Sequence, residues 1–271
     1  MHGSGPARPQ AGVPAWMCDR LWASLTANYQ VGMLTCMPVI TVGASKGGVG
    51  KTTIAYELAA ALGGVLVDLD WDSGGATRMW GYDPASFRRA PLLDAMESGA
   101  GKPPRPRVKR NQPDLVPSHP DLAASDIPDA LVAECLASWT KEWDRPVVVD
   151  THPGANQLTD GAMQVADLVV VPVILAAREM DALAGMLEDF VAYRLLLAPN
   201  MVPASPPRRY VDRLASLAGN TPVAPPISEH RWMRRRVRRA ALTLQPNPGR
   251  QVQRVAEEFR TLANVVSQSC G

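Results

Sequence analysis

The chain has 271 residues, 46% of them hydrophobic and 20% charged, with 28 basic against 26 acidic side chains and a formal charge of +2. That apolar content can build a sizeable core, which excludes a wholly disordered chain, and the near-neutral balance excludes a uniformly basic nucleic-acid binder. Cys18, Cys36, Cys135 and Cys270 form no C-x-x-C pair, which argues against a disulfide framework and against a zinc or iron–sulfur site. No apolar run approaches the roughly 18 residues of a membrane span, and the start lacks a signal-peptide pattern. The expectation is a cytoplasmic protein with no membrane partner.

In chain order, Pro and Gly dominate residues 1–14, and residues 16–29 carry Met17, Leu21, Leu25 and Tyr29 at helical spacing. Residues 1–37 read as a poorly ordered arm, and 38–271 as one domain. The β-branched run 39–42 reads as a buried strand ending at Gly43, followed by a glycine-rich loop and a helix over 52–62 stopped by Gly63-Gly64. Residues 65–70 form a second strand. Residues 99–120, rich in Pro and basic groups, read as a surface loop leading to Asp114-Leu115-Val116. A helix over 127–139, strands at 146–150 and 168–173, a helix over 180–191 and a strand at 193–197 follow. Helices over 208–218, 230–242 and 250–267 complete the chain. Unbroken Val, Ile and Leu strands are buried on both faces, so the pattern predicts a doubly wound, mostly parallel α/β sheet flanked by helices.

Between the first strand and helix stands Ser45-Lys46-Gly47-Gly48-Val49-Gly50-Lys51-Thr52-Thr53. Glycines let the backbone approach a ligand closely, successive N–H groups point inward, and the helix start adds positive potential, which together make a phosphate seat. Lys51 would reach the β- and γ-phosphates and the Thr52 hydroxyl would ligate Mg²⁺. Ser45 replaces the glycine of the usual pattern, and Lys46 is an additional lysine. K-G-G-V-G-K-T-T resembles the deviant Walker A motif of the ParA/MinD family of ATPases. The resemblance implies a P-loop NTPase fold, ATP and Mg²⁺ as cofactors, and an ATP-dependent sandwich dimer in which Lys46 touches the partner subunit's phosphates. The logic is that of a charge supplied in trans.

Two acidic segments extend the resemblance. Val65-Leu66-Val67-Asp68-Leu69-Asp70 is similar to the family's second acidic motif, in which Asp70 positions the attacking water and joins the metal shell through water. Trp71-Asp72 stands where relatives often have Pro-Gln, and Asp68 is open to either a structural or a metal role. Pro146-Val147-Val148-Val149-Asp150-Thr151-His152-Pro153-Gly154 resembles the Walker B segment, with Asp150 holding Mg²⁺ through water and His152 where many relatives carry a second proline. The stretch 161–172 resembles the following helix and strand, and Asn200 falls where relatives contact adenine. The implied nucleotide-binding set is Lys46, Gly47, Gly48, Val49, Gly50, Lys51, Thr52, Thr53 and Asn200.

Charge counted by segment changes the opening average. Residues 208–271 hold twelve arginines, no lysine and four acids, a charge of +8, which leaves −6 on the preceding residues. On a helix over 230–242, Met233, Val237, Ala240 and Ala241 share one face, and Arg231, Arg235, Arg238 and Arg239 spread opposite, with Arg234 beside them. Guanidinium forks match phosphate oxygens, so DNA is the expected partner through Arg231, Arg234, Arg235, Arg238 and Arg239; a solvated basic helix is the alternative. The ParA branch binds nonspecific DNA in this part of the fold. The resemblance therefore implies nucleoid association, plasmid or chromosome partition, and hydrolysis stimulated by a centromere-binding, ParB-like adaptor. A MinD-like positioning ATPase acting on a membrane or protein cargo is the other reading. The last helix, with Val252, Val255, Phe259, Leu262 and Val266 on one face, reads as packing instead of a membrane tail.

Overall fold

The computed structural model describes residues 37–72, 75–83, 90–99, 101–236 and 239–270; the 16–29 helix expectation lies outside these ranges. The elements are β1 (Val39–Val42), α1 (Lys51–Leu62), β2 (Val65–Asp68), α2 (Ala76–Trp80), α3 (Pro91–Glu97), β3 (Asp114–Val116), α4 (Asp129–Trp143) and β4 (Val147–Asp150). They continue with α5 (Gln157–Gln164), β5 (Leu168–Val173), α6 (Ala177–Asp189), β6 (Leu195–Pro199), α7 (Arg208–Ala218) and α8 (Arg250–Cys270). The six strands form one parallel sheet in the order β3-β2-β4-β1-β5-β6.

Alternation along each strand sorts side chains onto two faces. Ile40, Val42, Leu66, Val148 and Val170 pack with α1 and α8, whereas Val39, Val65, Val67, Val147 and Val149 pack with α4. Toward β6, Val169, Val171 and Leu197 meet Met180, Leu183 and Leu214 from α6 and α7. Helix α1 lies between the sheet and α8, so residues 54–60 are buried all round, including Tyr56 and Glu57. On α8, Val255, Phe259, Leu262 and Val266 are buried, as the periodicity predicts, each contributing about 1.5–3 kcal/mol of apolar transfer energy.

Two expectations fail. Residues 114–116, read as a loop end, are the edge strand β3, a three-residue strand without a strong apolar run. The predicted 230–242 helix does not form: among the described residues the backbone makes 3₁₀ turns at Met233–Arg235 and Leu242–Leu244, and Arg236 is extended. The cause is Glu57, which captures Arg236 and the amides of Leu242 and Thr243, so the segment follows the α1 surface instead of its own helical bonds.

Register sets the location of the chemistry. Asp68 and Asp150 are directly paired on adjacent strands, and Asp150 also pairs with Val42, the last residue before the glycine loop. The carboxyl ends of β1, β2 and β4 thus open into one crevice, where an open parallel sheet binds ligands.

Candidate functional site

The glycine loop runs from Gly43 to Gly50. Gly47 and Gly48 are exposed, Val49 is buried, and the loop closes with Ile54 N–H donating to the Gly50 carbonyl at 3.0 Å. Gly50 has φ of 95°, a left-handed conformation that glycine alone adopts freely, and a Cβ there would collide with the Asn200 amide. Asn200, 5% exposed, donates from Nδ2 to the Val49 carbonyl at 2.9 Å. The residue expected near adenine therefore braces the loop from behind. The amides of Lys51, Thr52 and Thr53 begin α1, where no intrahelical acceptor awaits them.

Lys51 is 6% exposed, and burial lowers its pKa against the pull of the Asp150 and Asp70 carboxylates. Asp150 is fully buried, and no described donor meets good hydrogen-bond geometry with either oxygen, the Thr52 hydroxyl being the nearest candidate. Burial first, then the Asp68 carboxylate, raise its pKa well above the ordinary range, while the Thr52 hydroxyl and Lys51 oppose the shift. A buried carboxylate without partners is costly unless a cation completes it. With the Thr52 hydroxyl beside it, the donor set is all oxygen, which suits a hard divalent ion such as Mg²⁺.

Asp68 is fully buried and holds local structure. It accepts from the Thr77 amide and hydroxyl, both at 2.6 Å, and from the Asp70 amide at 3.0 Å. Burial nevertheless raises its pKa to about 7. By holding Thr77 and Asp70, it fixes the turn after β2. Thr77 was not visible as a functional partner in the sequence, because nine residues of turn and helix separate the two.

Asp70 is 8% exposed and accepts from the Asp72 amide at 3.1 Å. Burial raises its pKa, opposed by that hydrogen bond and by His152 and Lys51. His152 Nε2 lies 3.2 Å from Asp72 Oδ2, and its ring stacks on Trp71 with centroids 4.0 Å apart and planes 6° from parallel. Trp71-Asp72 and His152, which belong to two separate sequence motifs, therefore touch. They clamp the loop after β2 to the loop after β4. Ligand atoms of Asp70, Asp72 and His152 fall within 4.8 Å of one another, although His152 and Asp72 already satisfy each other.

Lys46 Nζ donates to the Arg178 carbonyl at 3.2 Å, an exposed contact at the start of α6. A phosphate oxygen, carrying charge, would be a stronger acceptor for this ammonium than the neutral carbonyl.

The basic segment is fastened to α1. Arg236 Nη1 lies 3.1 Å from Glu57 Oε1, with the two side chains 14% and 1% exposed. Glu57 also accepts from the Leu242 amide at 2.9 Å and from Thr243, and burial raises its pKa despite these partners. Tyr56 donates its hydroxyl to the Arg239 carbonyl at 2.7 Å. Arg231, Arg235 and Arg239 are exposed; the Arg234 side chain and Arg238 lie outside the described residues. Among the expected DNA residues, those described remain at the surface, on an irregular segment instead of a helix. Sequence reasoning missed Glu57 as the anchor, and its one signal was an acid inside an otherwise apolar helix.

Residues 37–197 match the model of an AAA domain family, AAA_31. A plasmid-partitioning protein ParA of Thermus thermophilus is 28% identical over 254 residues, covering 82% of this chain and 77% of that protein. A plasmid partition protein of Borrelia burgdorferi B31, solved with AMPPNP, shares the fold with a TM-score of 0.64 and 21% identity, over 84% of this chain and 98% of that one. The septum site-determining protein MinD of Pyrococcus horikoshii, solved with Mg-ADP, shares it with a TM-score of 0.63 and 19% identity, over 84% and 95%.

Proposed function

We propose that this chain, which belongs to the AAA_31 family and within it to the ParA/MinD group of partition and positioning ATPases, is a DNA-binding partition ATPase. The observation that carries the nucleotide half is Asp150, a fully buried carboxylate beside Lys51 and Thr52 with no well-formed hydrogen bond to either oxygen. In this reading the amides of residues 47–53 seat the phosphates of ATP, and Lys51 neutralises the β- and γ-oxygens. Thr52 would hold Mg²⁺ directly, with Asp150 and Asp70 contributing through water. When bound, Mg²⁺ would offset the negative charge that develops on phosphoryl transfer. Asp70 orients the attacking water, and the raised pKa that burial gives it favours a brief acceptance of a proton. Lys46 leaves the Arg178 carbonyl and reaches the phosphates of a second copy, so that ATP favours a face-to-face homodimer.

The DNA half rests on the arginine segment, held at the surface by Glu57 and offering guanidinium groups to nonspecific phosphate contacts. A ParB-like, centromere-binding adaptor would trigger hydrolysis and release the dimer from the nucleoid. Membrane attachment through the last helix is disfavoured, because the apolar side of α8 is occupied by the core, and no described helix is long and apolar enough to cross a membrane. The test is retention on duplex DNA with ATP, with ADP and without nucleotide. Selective retention with ATP supports the reading, and equal retention in all three overturns the switch.

A further inference from the structure

Residues 102–110, read from sequence as a surface loop, carry Lys102, Arg105, Arg107, Lys109 and Arg110 with no acid among them, and all five are exposed. The loop is anchored. Arg107 exchanges two backbone hydrogen bonds with Leu115 of β3, at 2.6 and 2.9 Å, so the chain doubles back along the sheet edge. Residues 109–112 then close a turn through the Gln112 amide and the Lys109 carbonyl. Trp80 donates its indole N–H to the Pro113 carbonyl at 2.8 Å, and the Lys109 ammonium sits 5.3 Å above that indole ring. The Arg107 guanidinium lies 5.4 Å over Tyr82.

This loop adjoins the arginine segment. The Ala241 amide donates to the Asn111 carbonyl at 2.8 Å. Arg239 packs its guanidinium against Gly81, where a Cβ would overlap it, next to the Tyr82 that Arg107 covers. Two sequence segments more than 120 residues apart therefore form one basic surface along the β3 edge. Neither Arg105, Lys109 and Arg110 on one side nor Arg235 and Arg239 on the other has an ion-pair partner among the described residues. Asp114, an acid close by in sequence, is already paired with Arg145 at 2.6 Å. Like charges gathered this way repel unless an anion is shared. The aromatic rings and the backbone pairing hold the cations in place beforehand, which reduces the ordering cost of binding.

We infer that the 102–110 loop is the second half of the DNA interface, contacting duplex phosphates together with Arg235 and Arg239. The inference rests on the DNA-binding reading above. Its test measures ATP-dependent affinity for two duplexes of unrelated sequence across a salt series, comparing the wild-type chain with two variants. One is Arg105→Gln/Lys109→Gln/Arg110→Gln, and the other is Arg235→Gln/Arg239→Gln. Each lost phosphate contact removes roughly 0.9 from the slope of log affinity against log salt. The loop variant should lose roughly 2–3 in slope and at least about ten-fold in affinity near 0.1 M salt, equally on both duplexes. The charge-keeping variant Arg105→Lys/Arg110→Lys should retain most of both, which separates charge from folding. An unchanged slope in the loop variant, with a loss in the Arg235/Arg239 variant, overturns the loop assignment and leaves the DNA reading standing. No ATP-dependent binding by the wild-type chain overturns both. Binding to polyglutamate as tight as to duplex would reassign the surface to an acidic polypeptide and overturn the inference.

Discussion

Replacing Glu57 by alanine tests how the arginine segment is attached to the ATPase body. Glu57 is 1% exposed, its partner Arg236 is 14% exposed, and the same carboxylate receives the Leu242 and Thr243 amides. Removing one member of a buried ion pair costs about 3–5 kcal/mol, because the remaining charge is left uncompensated. The orphaned amides add to that loss, though not additively, since they belong to one network. Against a typical total of about 5–15 kcal/mol, the effect is large. In urea unfolding with a slope of about 2–3 kcal/mol per molar, the midpoint should fall by about 1–2 M. The double variant Glu57→Leu/Arg236→Met should recover part of that loss, since replacing both charges with apolar groups is often neutral. A midpoint shift below about 0.3 M for Glu57→Ala, or a double variant worse than the single, would refute the anchoring role.

Lys51→Ala should abolish measurable ATP binding by isothermal titration, because it removes the buried cation that faces Asp150. Asp70→Ala should leave ATP-dependent dimerisation and DNA retention largely intact while turnover falls by at least about 100-fold, the usual scale for a positioned acid–base group; near-normal turnover removes Asp70 from the mechanism. In EDTA and without nucleotide, stability should respond to pH through Asp150 and Asp68, whose folded pKa values are raised. The folded chain then keeps protons that the unfolded chain releases above about pH 4, so this contribution falls as pH rises, for Asp68 through a window ending at about 7. Asp150→Asn should therefore gain on the wild type between pH 5 and 7.5 in urea unfolding, and a constant difference would contradict the shift. His152→Ala should lower kcat more than it raises KM for ATP, because it frees Asp72 and Trp71 beside Asp70 without touching the glycine loop.

The parts of the fold legible in the sequence are those where local pattern and burial agree. The Val-rich strands, the glycine loop entering α1 and the Val255–Phe259–Leu262–Val266 stripe each announce their structure within a few residues. The arginine segment does not, because its conformation is set by Glu57, 179 residues earlier in the chain. Its apolar positions matched a helix, but a buried carboxylate outbid the helical hydrogen bonds. The edge strand β3 was hidden for a related reason, since three residues flanked by prolines gain their strand character only from pairing with β2. Charge counting by segment located the arginines but missed their neighbours, because the acids of the ATPase body masked five cations between residues 102 and 110. The Trp71–His152 contact likewise needs two loops brought together by β2–β4 pairing.

Helix α1 carries Lys51 at its first position and Glu57 six residues later, a separation of about 9 Å along a helix. That stretch is sheathed by the sheet on one side and α8 on the other, so its two ends belong to one packed unit. A shift of its first turn on binding phosphate would act on Arg236 through Glu57. The phosphate seat and the anchor of the arginine segment are thus the two ends of one short helical stretch.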